Sequence, residues 1–287
     1  MERANMTGKI CLVTGANAGI GKATAMGLAR MGAIVVMLCR SRERGEAAQT
    51  EIITESGNRH VDLLIADLSS RGSIRKLVRT FNAQYTELHV LVNNAGAIPS
   101  RRRVTVDGLE TQFAVNQLAP FLLTNLLVDV LKATPSARVV TVSSQVHSKG
   151  PLDFDDLQSE QNYNASQVYR KMKLANILFT YELARRLERS SVTANCLHPG
   201  VVATKLLDDY MGRSQEAGHG SGSAAGESPE QGAATVLYVA TSPEIEGVSG
   251  KYFFDNVARD SAPVSYDEEQ ARRLWEISAE LTGLDLQ

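Results

Sequence analysis

The sequence is poor in the residues that mark disulfide-rich and metal-binding proteins. Its three cysteines, Cys11, Cys39 and Cys196, are far apart and lie inside apolar, strand-like runs. Such a distribution favours buried, unpaired thiols over disulfide bonds or a metal site. We therefore expect a protein of a reducing compartment, the cytoplasm, with no bound metal.

The chain also lacks a strong charge of one sign and long apolar runs. Its net charge of −2 provides no basic field for nucleic acid or a membrane surface. No apolar run reaches the roughly 18–20 residues that span a bilayer. The segment Met1–Thr7 has no apolar core, so we expect neither a signal peptide nor a membrane anchor.

Apolar, β-branched runs alternate with helical patterns along the 287 residues. The seven predicted strands cover residues 9–14, 33–38, 60–65, 89–92, 138–142, 192–197 and 251–254. Because these strands are almost continuously apolar and are separated by helices, they predict a parallel sheet covered on both faces. The expected fold is α/β, with a doubly wound, seven-stranded parallel sheet and a single domain over residues 1–287.

Two segments in the second half are expected to shape the substrate site. A Gly- and Ser-rich stretch predicts a mobile loop over the site at about 206–228. Its apolar candidates for substrate contact are Leu206, Leu207, Tyr210 and Met211. A C-terminal helix is predicted at about 267–281, and Trp275 is expected to pack it against the core.

A glycine-rich turn follows the first predicted strand, in the sequence Thr14-Gly15-Ala16-Asn17-Ala18-Gly19-Ile20-Gly21. Glycines allow the backbone to approach a pyrophosphate, and the N-terminus of the following helix then faces its negative charge. The alternative is an ordinary tight turn between a strand and a helix. The position at the start of the sheet favours a dinucleotide site.

The end of the second strand indicates which dinucleotide would bind. An acidic residue there would accept hydrogen bonds from the ribose hydroxyl of NAD. The chain instead has Leu38-Cys39-Arg40-Ser41-Arg42, in which Arg40 can pair with a 2′-phosphate. We predict NADP(H), with NAD(H) less favoured; the alternative for Arg40 is a solvated loop arginine.

Tyr169 and Lys173 lie four residues apart in a predicted helix, which puts both side chains on one face. A phenol normally titrates near pH ~10. A neighbouring ammonium is expected to lower the pKa of Tyr169, so that the phenol can exchange a proton with a carbonyl or alcohol oxygen. By itself the spacing is also compatible with an unremarkable surface pair.

Taken together, these residues resemble the short-chain dehydrogenase/reductase family, within it the retinol-dehydrogenase-like branch. The likeness covers nearly the whole chain and rests on the glycine turn, Asp67-Leu68, Asn93-Asn94-Ala95-Gly96, Asn116, Ser144, Tyr169, Lys173, Pro199-Gly200 and Thr204. The stretches Lys173–Thr180 and Ala271–Trp275 indicate the branch. Arg170-Lys171-Met172, between the tyrosine and the lysine, departs from the small or polar residues usual there.

The resemblance implies an NAD(P)-binding Rossmann domain and assigns its residues. The implied catalytic residues are Asn116, Ser144, Tyr169 and Lys173. The implied cofactor contacts are Gly15, Asn17, Gly19, Ile20, Gly21, Arg40, Asp67, Leu68, Asn94, Ala95, Gly96, Tyr169, Lys173, Pro199, Val202 and Thr204. Ser144 would hydrogen-bond the carbonyl oxygen, Tyr169 would pass the proton, Lys173 would hold the nicotinamide ribose, and Asn116 would position a relay water.

The expected activity is hydride transfer between NADP(H) and the carbonyl or alcohol carbon of a small apolar aldehyde, ketone or alcohol. One alternative is a dinucleotide-binding sensor or scaffold without turnover, although such proteins typically lose the tyrosine or the lysine. Another is a carbon–carbon double-bond reductase with the same fold. By the same resemblance, helices at 108–132 and 162–189 are candidates to pair across a two-fold axis in a homodimer or homotetramer.

Overall fold

The structure, a computed structural model, describes residues 4–212 and 226–285. Its strands and helices alternate along the chain as the apolar periodicity predicts. The strands are β1 Ile10–Thr14, β2 Ile34–Cys39, β3 Val61–Ile65, β4 Val90–Asn93, β5 Arg138–Val142, β6 Thr193–Leu197, β7 Tyr252–Phe254 and β8 Val257–Arg259. The helices are α1 Gly19–Arg30, α2 Arg42–Ser56, α3 Arg71–Gln84, α4 Thr111–Phe113, α5 Ala119–Leu126, α6 Val128–Ala133, α7 Ala165–Arg186, α8 Lys205–Tyr210, α9 Pro229–Thr241 and α10 Glu268–Thr282.

The strands form one sheet in the order β3-β2-β1-β4-β5-β6-β7-β8. All neighbours pair in parallel except β7 and β8, which pair antiparallel. The strand order reverses between β1 and β4, and a crevice opens at such a switch point, at the carboxyl ends of the strands. The predicted doubly wound α/β fold is confirmed.

The sheet has eight strands rather than the predicted seven. The added strand, β8, follows a turn in which Asp255 and Asn256 adopt positive φ angles of 51° and 61°. All three residues of β8 are exposed, so the strand has no apolar alternation by which the sequence could reveal it. It lies at the edge of the sheet and does not alter the core.

Apolar strand residues alternate between the two faces of the sheet and build a core on each. One core contains Leu12, Val36 and Leu91 together with residues from α3, α5, α7 and α10. The opposite core contains Val13, Val35 and Val92 together with residues from α1, α2 and α9. Helix α7, which carries the catalytic candidates, therefore packs on the face of the sheet that bears Leu12, Val36 and Leu91.

Helix α7 is enclosed by the rest of the chain. Its residues 172–183 are buried without interruption. On its outer side lies α10, whose Trp275 is only 4% exposed and packs edge-on against Phe121 at 4.9 Å and stacks on Phe179 at 5.9 Å. The guanidinium of Arg186 covers the Trp275 ring at 4.4 Å. Trp275 therefore packs as predicted, and α10 occupies part of the outer surface of α5 and α7.

No helix within the two described ranges combines the length and the apolar character that crossing a bilayer requires.

Candidate active site

A cleft of about 560 Å³ opens at the carboxyl ends of β1 to β4, at the switch point of the sheet. Most of the residues predicted to contact a dinucleotide line it: Gly15, Asn17, Gly19, Ile20, Gly21, Arg40, Asp67, Leu68, Asn94, Ala95, Gly96 and Thr204. Ile20 and Thr204 contribute apolar atoms and Arg40 a charge. The sequence thus identified the residues of one continuous cleft.

The walls of this cleft are held together by the hydroxyl of Thr14. Its Oγ1 accepts hydrogen bonds from the backbone N–H groups of Asn94 and Ala95, both at 2.9 Å, and donates to the carbonyl of Val92 at 3.2 Å. The side-chain amide of Asn94 donates to the carbonyl of Thr14 at 2.8 Å. These bonds lock the segment after β4 onto the glycine turn after β1.

The glycine turn is shaped for close approach by a ligand's phosphate. Gly15 has a φ of +68°, which a side chain would strain. A Cβ at Gly21 would collide with the Asn94 side chain and the Gly15 carbonyl. Helix α1 has no side-chain N-cap and no acidic residue in its first turn, so its first N–H groups can face an anion. A dinucleotide pyrophosphate fits this arrangement.

Two arginines lie where β2 ends at the cleft. Arg40, which the sequence singled out, and Arg44, which it missed, both line the cleft. Arg42 instead forms an ion pair with Glu46 at 3.3 Å. Arg44 becomes part of the site because Ser41 caps α2 through the backbone N–H of Arg44, which sets the first turn of this helix beside the β2 end. The pattern Arg40-Ser41-x-x-Arg44 is the signal that could have revealed it.

Tyr169 and Lys173 lie together on α7, both buried, with exposures of 8% and 3%. The ammonium of Lys173 is 5.2 Å from the centre of the Tyr169 ring. It donates hydrogen bonds to the carbonyl of Val142 at 2.7 Å and to Oδ1 of Asn176 at 3.3 Å. The predicted pair is therefore an interior pair and not a surface pair.

Burial changes the acid–base character of both side chains. It raises the pKa of Tyr169 above its usual range, and the nearby Tyr210 raises it further. Burial lowers the pKa of Lys173 to about 7. The expected lowering of the Tyr169 pKa by Lys173 is not found in this arrangement, because burial disfavours the charged phenolate.

Asn116 connects to Lys173 through a residue that the sequence analysis missed. Its side-chain amide is bound to the backbone of Ala97, accepting from its N–H at 2.8 Å and donating to its carbonyl at 2.9 Å. The backbone carbonyl of Asn116 accepts a hydrogen bond from Nδ2 of Asn176 at 2.6 Å. Asn176, whose Oδ1 meets Lys173, is therefore the direct link between these two candidates.

A π-helical turn at Ala114–Leu118 makes this link possible. The predicted single helix at 108–132 is divided by this turn, and π-turns release a backbone carbonyl from the regular helix ladder. The sequence signal for Asn176 is its position in the apolar stripe of α7, where a buried amide needs polar partners.

Ser144 lies at the end of β5, where it caps a 3₁₀ turn over Gln145–Lys149. Its Oγ accepts the backbone N–H of Val146 at 3.4 Å, which leaves its own proton for an external acceptor. The adjacent Ser143 donates to the carbonyl of Lys173 at 2.7 Å. Ser144, Lys173 and Asn116 are thus joined through neighbouring backbone groups.

Helix α8 covers this region, at residues that the sequence analysis placed in a loop. Leu206 to Tyr210 are helical, and most of the remaining predicted loop, residues 213–225, lies outside the described residues. Thr204 caps the helix by accepting the N–H of Leu207 at 3.3 Å. The Tyr210 ring lies 5.5 Å from that of Tyr169, so α8 borders the catalytic candidates.

The segment Arg170-Lys171-Met172, between Tyr169 and Lys173, contributes to the contact between α7 and α8. Nε of Arg170 donates to the Tyr210 hydroxyl at 2.9 Å. Met172 is fully buried and packs in a core cluster with Val168 and Leu174. One member of the segment therefore binds α8 and another fills the interior.

Four of the predicted cofactor residues do not line the cleft. Pro199 and Val202 follow β6, and Val202 is 5% exposed and pairs with Glu227 in a single bridge. Tyr169 and Lys173 also lie outside the lining of the cleft. Their contact with a cofactor stays a prediction.

Comparison with known proteins agrees with these features. The family model for short chain dehydrogenases matches residues 9–213. Human retinol dehydrogenase 14 is 44% identical over 299 residues, covering 97% of this chain and 88% of that protein. Human retinol dehydrogenase 13 is 44% identical over 295 residues, covering 99% and 87%.

Solved structures share the fold. A Mycobacterium paratuberculosis protein superposes with a TM-score of 0.81 at 31% identity, covering 100% of this chain and 97% of its own. A short chain dehydrogenase from Burkholderia cenocepacia J2315, solved in complex with NADP, gives a TM-score of 0.68 at 26% identity, covering 87% and 96%.

Proposed function

The chain belongs to the short chain dehydrogenase family, in its retinol-dehydrogenase-like branch, and we propose that it reduces apolar aldehydes or ketones with NADPH. Membership makes it an oxidoreductase of alcohol and carbonyl groups. The proposal for NADPH-dependent reduction rests on the buried pair Tyr169 and Lys173 on α7. It also rests on the neighbouring cleft, which Arg40 and Arg44 line where β2 ends.

The two arginines support NADP(H) over NAD(H). A guanidinium can pair with a 2′-phosphate through parallel hydrogen bonds, and the β2 end offers no carboxylate for a ribose hydroxyl. The Burkholderia cenocepacia relative was solved with NADP. When bound, the nicotinamide would supply the hydride. Gly15, Gly21 and the first N–H groups of α1 would hold the pyrophosphate, and Arg40 and Arg44 the 2′-phosphate.

The proposed roles of the catalytic residues follow from their hydrogen bonds. Ser144 donates its free hydroxyl proton to the carbonyl oxygen of the substrate. Tyr169 gives its proton to the same oxygen as the alcohol forms. Lys173, whose ammonium lies 5.2 Å from the centre of the Tyr169 ring and is held by Asn176, would return a proton to Tyr169. Each step uses a group already positioned by α7 or the β5 end.

The raised pKa of Tyr169 supports reduction as the favoured direction. A phenol that holds its proton at neutral pH is ready to donate to a carbonyl, whereas alcohol oxidation would require the phenolate. Lys173, with a pKa of about 7, can supply a replacement proton at the same pH.

An apolar substrate is supported by the relatives and by α8. The two human relatives are named retinol dehydrogenases, and retinol is an apolar alcohol. Leu206 lines the cleft, and the Tyr210 ring lies over Tyr169. We propose that these side chains form the apolar wall against which the substrate's chain packs.

Turnover of NADPH with a panel of apolar aldehydes and ketones tests the proposal directly. We expect oxidation of NADPH in preference to NADH by at least about tenfold in kcat/KM, because one charge-assisted pair is worth about 1.5–3 kcal/mol. A tenfold preference for NADH would overturn the cofactor assignment. Tight NADPH binding without turnover of any compound would favour the sensor alternative.

Arg40→Ala, with Arg42→Ala as its control, tests the arginine's role. Both residues are exposed, and Arg42 is occupied by Glu46. The Arg40 variant should raise the KM for NADPH about tenfold and leave that for NADH unchanged. The Arg42 variant should change neither value; equal effects of the two would argue for a general charge effect only.

A further inference from the structure

His147 is a buried histidine with both ring nitrogens engaged, and the reaction described above does not use it. It is 5% exposed and lies in the 3₁₀ turn that Ser144 caps. Its Nδ1 is 2.7 Å from the carbonyl oxygen of Ser144. Its Nε2 accepts the backbone N–H of Ala262 at 3.0 Å.

These two partners fix the protonation state of the ring. A backbone N–H can only donate, so Nε2 must carry a lone pair. A carbonyl oxygen can only accept, so Nδ1 must carry the proton. A histidinium would set an N–H against the N–H of Ala262. Burial also lowers the pKa of His147, which agrees with a neutral ring in one tautomer.

One end of this bridge holds the turn of Ser144. The carbonyl of Ser144 accepts from both the Nδ1–H and the backbone N–H of His147, the latter at 3.2 Å. The Oγ of Ser144 is held by the N–H of Val146. The direction of the Ser144 hydroxyl therefore depends on this turn, and the hydrogen bond from the His147 ring stabilises the turn.

The other end reaches α7 through serines. Ala262 begins a turn in which Ser265 Oγ donates to the Ala262 carbonyl at 2.6 Å. Ser265 and Ser261 share a hydrogen bond of 2.6 Å, and Ser261 and the Tyr181 hydroxyl one of 2.8 Å. Tyr181 lies on the same helix as Tyr169. The ring thus ties the serine turn to the helix that carries the tyrosine.

We propose that His147 is a positioning residue for Ser144, and that its neutral, Nδ1-protonated ring fixes the serine hydroxyl relative to Tyr169 during carbonyl reduction. The inference rests on the proposed function. Both hydroxyls must reach one substrate oxygen, and misplacement of a catalytic group by about 1 Å can cost up to about a hundredfold in rate.

Two substitutions of His147 remove its hydrogen bonds to Ser144 and Ala262 one at a time. His147→Asn retains a donor near the position of Nδ1 and loses the acceptor for Ala262. His147→Gln places its amide near the position of Nε2 and loses the donor to Ser144. We expect the Gln variant to lower kcat about tenfold or more with the affinity for NADPH unchanged, and the Asn variant to stay within about threefold of wild type.

His89→Gln is the matched control. His89 is 7% exposed and its Nδ1 accepts the N–H of Ile10 at 3.1 Å, at the amino ends of the central strands β4 and β1. It should lower Tm without changing kcat. The nitrogen NMR spectrum of wild type should also show a protonated Nδ1 and an unprotonated Nε2 at His147, a readout independent of turnover.

The outcomes are distinct. If wild type reduces no carbonyl compound, the proposed function fails and the role of His147 fails with it. If wild type is active but both His147 variants behave like His89→Gln, only the role of His147 is overturned. A spectrum with a protonated Nε2 overturns it regardless of activity. Equal loss of kcat in the Asn and Gln variants contradicts the assignment of the bond to Ser144 as the one that positions the hydroxyl.

Discussion

Two helices border the side chain of Tyr169, and they are held in opposite ways. In α7, which carries Tyr169, 14 of the 22 residues are buried. In α8, which places Tyr210 over it, none of the six residues is buried. The helix that carries the proposed proton donor is thus fixed by the core. The helix proposed to border the substrate has no buried residue, and moving it would disrupt little packing.

The largest effect is expected when the hydroxyl of Tyr169 on α7 is removed. Tyr169→Phe on α7 should lower kcat by about 10²- to 10⁴-fold, the range for loss of a positioned proton donor. NADPH binding, followed by its fluorescence, should be unchanged. Near-normal turnover of the variant would remove Tyr169 from its proposed role and leave α7 as a structural helix only.

The burial of α7 predicts a large stability effect at its contact with α10. Trp275→Ala should lower the free energy of unfolding by about 3–5 kcal/mol, because it opens a cavity between Phe121 and Phe179. Met211→Ala, at an exposed residue beside α8, is the control and should change it by no more than about 0.5 kcal/mol. Similar values in denaturant titrations of the two variants would contradict the difference between the helices.

The buried ammonium of Lys173 predicts a pH dependence. Its pKa of about 7 lies below the usual value of about 10.4 in the unfolded chain. Between these values the unfolded chain binds more protons, so wild-type stability should rise with pH from neutral towards about pH 10.

Lys173→Met removes that titration. The lost hydrogen bonds to Val142 and Asn176 lower the stability of the variant at every pH. The test is therefore how the difference in Tm between the variant and wild type varies with pH. The Tm of the variant, relative to that of wild type, should be highest near pH 6 and lowest near pH 9. A difference that does not vary with pH would mean that Lys173 is charged and solvated in the folded protein.

The smallest effect is expected at the contact between the two helices. Tyr210→Phe retains the ring over Tyr169 and loses the hydrogen bond from Arg170. It should raise the KM for the carbonyl substrate about two- to fivefold, equivalent to about 0.5–1 kcal/mol, and leave kcat unchanged. A loss of kcat as large as that of Tyr169→Phe would mean that both tyrosines take part in the chemistry.

The predicted pairing of the helices at 108–132 and 162–189 across a two-fold axis stays a prediction. Helix α10 covers part of the surface that such pairing would use, since Trp275 already packs on Phe121 and Phe179.

Much of the fold could be predicted because it rests on local periodicity. The bounds of β5 agree with the predicted strand at 138–142 residue for residue. The glycine turn and Arg40 were identifiable because backbone freedom and charge are properties of single residues. The exposed strand β8, the π-turn that contains Asn116 and helix α8 were not, since each depends on long-range packing or on a short segment without apolar periodicity.

The sequence by itself determined the order of strands and helices, the dinucleotide turn and the pairing of Tyr169 with Lys173 on one helix face. Spacing along a helix or strand is sufficient for these features. Only the tertiary structure decided how these side chains ionise and what orients them. Burial raises the pKa of Tyr169 and lowers that of Lys173, and the contact of His147 with Ala262, 115 residues away, selects one tautomer. Desolvation and long-range hydrogen bonds arise only when distant segments meet.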